Sequence, residues 1–132
     1  MIYMSDLDFS YFYGQKLIDV DTEKRRFLRL IFEHSQLSVE CPWRLRDKGG
    51  ILIGESDCVS APDKFSRKSL EKLIKNRKIV EITFYEELFL LSVKLENDLY
   101  FDLFHNSTYF EGWVLTGDNG LDFFTVPGGE IC

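Results

Sequence analysis

Residues 43–54 read WRLRDKGGILIG, and residues 113–126 read WVLTGDNGLDFFTV. Each opens on one of the two tryptophans of the chain, continues x-Leu, and reaches Asp-x-Gly one or two residues later. Apolar residues on both sides of a Gly-containing turn are the signature of a β-hairpin. Alternation alone can be matched by accident, but a shared Trp-x-Leu and a shared Asp-x-Gly are harder to match. The two stretches predict two copies of one hairpin. Each has an indole to bury and a turn that tolerates positive φ.

Working outward, KLIDVD at residue 16 lies against KIVEIT at 78, FLRLIF at 27 against LFLLSV at 88, and LSVEC at 37 against LYFDL at 99. With the tryptophans the offsets are 62, 61, 62 and 70, and Phe104 to Gly112 supplies the one large insertion. The predicted fold is therefore α+β, predominantly antiparallel β. It has two tandem meander repeats of about five strands each, approximately 14–54 and 76–126, in a sandwich or a rolled sheet. Residues 1–132 are expected to form a single domain, a length that buries a real core. Gln36 to Trp43 reads as one strand that ends at Pro42, which donates no amide, or lies at a sheet edge. Segment 55–75 joins the copies. Glu55 to Pro62 reads as loop, Asp63 as an N-cap, and the stripe Leu70, Leu73 and Ile74 as one helix of about three turns.

Twelve Phe and six Tyr fit a pleated, β-rich interior. Net charge is −6, so an overall basic footprint for nucleic acid is missing. The charge is uneven. Residues 64–78 hold seven Lys or Arg and one acid, whereas residues 79–132 hold ten acids and one Lys. Such opposed segments could be self-complementary, within one chain or in a homodimer. The cysteines Cys41, Cys58 and Cys132 are odd in number and form no CxxC, which points to a reducing, cytoplasmic setting. The opening MIYMSDLDF lacks a basic region followed by an apolar run, so no signal peptide is expected. No apolar run is long enough for a membrane span.

Reactive chemistry finds little support. Cys41 or Cys58 could be a nucleophile if His34, His105, Arg44 or Arg46 lowered its pKa. Cys41 lies on the apolar face of its strand, however, and its counterpart is read as Leu103, which favours a core role. The two histidines are 71 residues apart, which gives no metal spacing. Gly54-Glu55-Ser56-Asp57 lacks the second glycine of a serine elbow, no phosphate loop is present, and Glu86-Glu87 reads as a hairpin tip. No catalytic residue, cofactor or metal ligand is predicted. Arg44 and Arg46 stand apart because the second copy lacks both. Tyr100, Tyr109 and Phe110 join them as candidate interaction residues, since the aromatics exceed what one core face needs. The alternative is a small-ligand-binding protein or small enzyme with a cleft between the repeats, using Cys58, His34 or Asp57.

Cys41-Pro42-Trp43-Arg44-Leu45, followed by Ile51 to Asp57 and a later strand like Leu99 to Phe104, resembles a motif in small bacterial proteins of unknown function. Some of these are suspected immunity proteins of polymorphic toxin systems. The resemblance touches about half of the chain and brings no catalytic residues. It implies a non-enzymatic protein-binding domain that masks a toxin. The acidic C-terminal half would suit a basic partner.

Overall fold

The computed structural model describes residues 7–132. Met1 to Asp6, which carry most of the reading against a signal peptide, lie outside them. Ten strands and two helices follow in order: β1 Leu17–Asp21, β2 Leu28–Phe32, β3 Ser35–Val39, β4 Trp43–Arg46, β5 Ile51–Gly54, α1 Glu55–Ser60, α2 Arg67–Ile74, β6 Ile79–Tyr85, β7 Leu90–Leu95, β8 Leu99–Phe104, β9 Trp113–Gly117 and β10 Asp122–Phe124. The fold is α+β and predominantly antiparallel β. No described helix is long and apolar enough to cross a membrane.

The strands form two five-stranded sheets, β1-β2-β3-β9-β10 and β5-β4-β8-β7-β6. Neither sheet belongs to one copy. The first three strands of each copy are completed by the last two of the other. The chain changes sheet at Glu40 to Pro42, so Gln36 to Trp43, expected as one strand, is broken. Pro42 has no N–H for a ladder, the Glu40 N–H is drawn to Gly112 O at 2.8 Å, and Pro42 O accepts from Phe104 N–H at 2.9 Å. The matching change of sheet in the second copy runs through the longer loop between β8 and β9.

Inward-facing rows cross each sheet. Val20, Leu30, Leu37, Leu115 and Phe123 stand in register in one. Ile82, Val93, Phe101, Leu45 and Ile53 do so in the other. All ten are buried in a single apolar core. Each such side chain contributes roughly 1.5–3 kcal/mol of burial before chain entropy is counted. Trp113 and Phe84 meet edge to face between the sheets, with ring centroids 6.4 Å apart.

The sheets touch where the two copies begin. Lys16 and Lys78 form an antiparallel bridge, and their separation is the 62-residue offset of the repeat. The surrounding bonds come in matched pairs. Leu17 N–H donates to Arg77 O and Ile79 N–H to Gln15 O, both at 2.9 Å, while Gly14 N–H donates to Ile79 O and Asn76 N–H to Leu17 O. The Lys16 N–H donates to Glu33 Oε1 at 2.7 Å, and the Lys78 N–H to Glu96 Oε1 at 2.8 Å. Both first hairpins carry a register shift at the same place, Leu17/Asp19 and Ile79/Glu81. Equal contacts in both directions are what a two-fold axis produces.

Register also corrects the alignment. Val39 pairs with Trp113, and Leu103 with Trp43. Val39 is therefore the counterpart of Leu103, and Cys41 that of His105. The register offset of this strand pair is two residues longer than the sequence offset, which preserves the face of a strand and so leaves the alternation unchanged.

The connector departs from expectation in two places. Glu55–Ser60 is helical rather than loop, begun by the Asp57 carboxylate accepting Gly54 N–H at 2.8 Å. Helix α2 is preceded by Ser66, not Asp63, and has only eight residues, with Leu70 and Ile74 buried. Within the chain, the opposed charges do not pair among the described residues. Each of their ion pairs lies outside residues 64–78. Arg67 and Arg77 bond backbone carbonyls instead, and Lys64, Lys68, Lys72 and Lys75 are exposed.

Candidate interaction face

On the outer side of the β5-β4-β8-β7-β6 sheet, cross-strand register sets Ser92, Asp102 and Arg44 in one row and Lys94, Tyr100 and Arg46 in the next. Asp102 is fully buried although it points away from the core. Its Oδ2 accepts from Arg44 Nε at 2.9 Å and from Arg46 Nε at 2.6 Å, and its Oδ1 accepts from Ser92 Oγ at 2.7 Å. A buried carboxylate is tolerated when its lone pairs are used and opposite charge is at hand. Here one carboxylate meets two guanidiniums, so the cluster keeps one positive charge.

The aromatic neighbours fix the two arginines further. The Arg44 guanidinium lies over the Phe104 ring at 4.7 Å and that of Arg46 over Tyr100 at 4.3 Å, with Lys94 Nζ 5.7 Å from the same tyrosine ring. Both arginines spend their Nε on Asp102, and their side chains remain about a third exposed, at 34% and 31%. Arg46 adds a longer contact from Nη2 to Asp102 Oδ1 at 3.5 Å, whereas Arg44 reaches the carboxylate through Nε alone, so the two guanidiniums are stacked, anchored and partly exposed. Exposed Ile51 borders the row of Arg46. On the other sheet the positions matching Asp102, Arg44 and Arg46 hold Ser38, Val114 and Thr116, so this face occurs once.

Of the five sequence candidates, Arg44, Arg46 and Tyr100 converge here. Tyr109 and Phe110 do not lie on the sheet face. They are 78% and 67% exposed on the β8–β9 loop and packed on each other, with Ser107 Oγ accepting both their N–H groups. Asp102, Ser92 and Phe104 were missed. The signal that could have found them is the outward period of β8, where Tyr100, Asp102 and Phe104 alternate with core residues.

The reactive alternatives are placed apart. Burial, aided by Glu55, pushes the Cys41 thiol up to about 12, and burial raises Cys58 as well. Neither is a thiolate at neutral pH. His34 sits 3.7 Å from Asp118, and Asp57 is committed to Gly54. His105 is buried, with Nε2 at 3.0 Å from Ser107 O and Nδ1 at 2.8 Å from Thr125 Oγ1. A carbonyl cannot donate, so Nε2 carries a proton; Thr125 Oγ1 already accepts two backbone N–H groups, which leaves its own proton for Nδ1. Among the described residues, no three His, Cys, Asp or Glu side chains gather as metal ligands.

The architecture is thus a two-sheet antiparallel domain with strands exchanged between its copies and one cationic, aromatic-lined outer face. Comparison with known proteins adds no relative: no protein-family model, no curated protein and no solved structure matches the chain.

Proposed function

We propose that this chain is a non-enzymatic protein-binding domain that grips carboxylates of a partner on the outer face of the β5-β4-β8-β7-β6 sheet. The observation that carries the reading is the double use of Asp102, which holds Arg44 and Arg46 side by side while about a third of each side chain stays exposed. Arginine and tyrosine dominate the energetic centres of protein interfaces, and a cationic fork held in advance loses less entropy on binding. An immunity protein masking a toxin is the specific form favoured by the resemblance of residues 41–57. The expectation of a basic partner drew on the total charge of residues 79–132. At this face Asp102 is outnumbered by Arg44 and Arg46, and Glu81 stands opposite Lys94, so the epitope that fits the arginine pair is acidic.

The test is affinity capture from the native host with wild-type protein and with an Arg44→Ala/Arg46→Ala double variant. One dominant partner retained by the wild type and lost by the folded double variant is the expected result, with association slowing as salt rises. Equal capture by both proteins removes the face from the interaction.

A further inference from the structure

The connector roofs a cleft of about 510 Å³ beside β4, within the roughly 300–1,000 Å³ of small-molecule sites. It lies between the connector and the first copy rather than between the two copies. Its apolar lining comes from Trp43, Cys58, Pro62 and Phe65. The Trp43 ring is backed by Phe101 at 5.7 Å, and Cys58 and Phe65 pack against the core, so these walls are firm. The polar lining is unequal in charge, with Lys24, Arg67 and Lys68 against Glu55. Arg67 is held by its Nη1 donating to Glu23 O at 2.6 Å, which also ties the β1–β2 loop to α2. Burial raises the Glu55 carboxyl toward its neutral form, with Arg67 opposing. The Cys58 thiol is raised in the same way, burial being the first cause.

We propose that this cleft binds a small amphipathic anion, with an aliphatic or aromatic body against Trp43 and Phe65 and a single carboxylate or sulfonate facing Lys24, Arg67 and Lys68. The site is independent of the outer arginine face. The two share only β4, which turns Trp43 inward and Arg44 outward.

The probe is anilinonaphthalene sulfonate, whose emission and whose quenching of tryptophan both report binding, with octanoate and octanol as competitors. Near-UV circular dichroism confirms that each protein is folded. Saturable binding of one probe per chain is expected, displaced by octanoate at least about tenfold more effectively than by octanol. Lys68→Glu and Val59→Glu alter exposed rim residues, and each should weaken the probe by about tenfold. The proposal is overturned by non-saturable binding, by octanol competing as well as octanoate, or by both variants binding like wild type.

Discussion

Lys16 and Lys78 stand opposite each other in one antiparallel bridge, and each is the other's counterpart in the two copies. The backbone bonds around them repeat in both directions, and every sheet takes strands from both halves. The halves therefore hold each other in the manner of two subunits.

Cutting the chain in the exposed stretch 62–64 should test that relation. Fragments 1–62 and 63–132, made separately, are expected to give collapsed amide spectra, since each lacks two strands of one sheet and three of the other. Mixed in equal amounts they should recover the dispersed spectrum of the intact chain. A fragment that folds alone, or a mixture that stays disordered, contradicts the strand exchange.

Asp102 should matter more than either arginine it holds. Asp102→Ala removes the acceptor shared by Arg44, Arg46 and Ser92 and should cost about 3 kcal/mol or more. Arg44→Ala or Arg46→Ala leaves a paired carboxylate and should cost about 1–3 kcal/mol each. Urea midpoints at constant slope measure this. An Asp102→Ala cost no larger than that of Arg44→Ala would refute the anchoring role.

Alkaline stability should depend on Cys41. Its folded pKa is raised to about 12, above its unfolded value. Above the unfolded pKa the unfolded chain loses the thiol proton while the folded chain keeps it, which favours unfolding. The contribution is whole below the unfolded pKa and is lost as pH rises toward the folded one. Cys41→Ala should flatten the fall in unfolding free energy between neutral pH and pH ~10.5, a window set by ordinary thiol ionisation near 8.5. Identical slopes in the two proteins would be the contrary result.

Thr125 is a small residue with a large duty. Its buried hydroxyl donates to His105 Nδ1 and accepts the N–H groups of Gly112 and Trp113 at 3.1 and 3.2 Å. Thr125→Val keeps the shape and orphans all three, for an expected loss of about 2 kcal/mol or more. Thr125→Ser keeps the hydroxyl and should lose clearly less. Equal losses, read by thermal or urea unfolding, would assign the effect to packing.

The strands were readable because Leu37 with Val39, or Phe101 with Leu103, alternate in the chain as they do in space. The equivalence of Trp43 and Trp113 was readable because each heads a turn of unusual composition. The exchange of strands was not. β3 shows the same alternation whether its neighbour is β4 or β9, and only distant pairing decides. The buried carboxylate was hidden for a related reason. Asp102 lies on the outward period of β8, where a polar residue reads as solvated. Its cover comes from arginines 58 and 56 positions away. Arg44 and Arg46 were legible as the residues without copies, but what they are for depends on a residue in the other half.

Strand exchange gives the arginine face a divided ownership. Its two arginines stand on β4, from the first copy, and its acid, serine, lysine and aromatic rings on β7 and β8, from the second. A half-length chain assembling with itself would be obliged to display two identical outer surfaces, and any alteration would appear twice. Joined in one chain, the two surfaces are released from that obligation. One can be given over to recognition while its twin, with Ser38, Val114 and Thr116 in the same places, carries no such arginine pair.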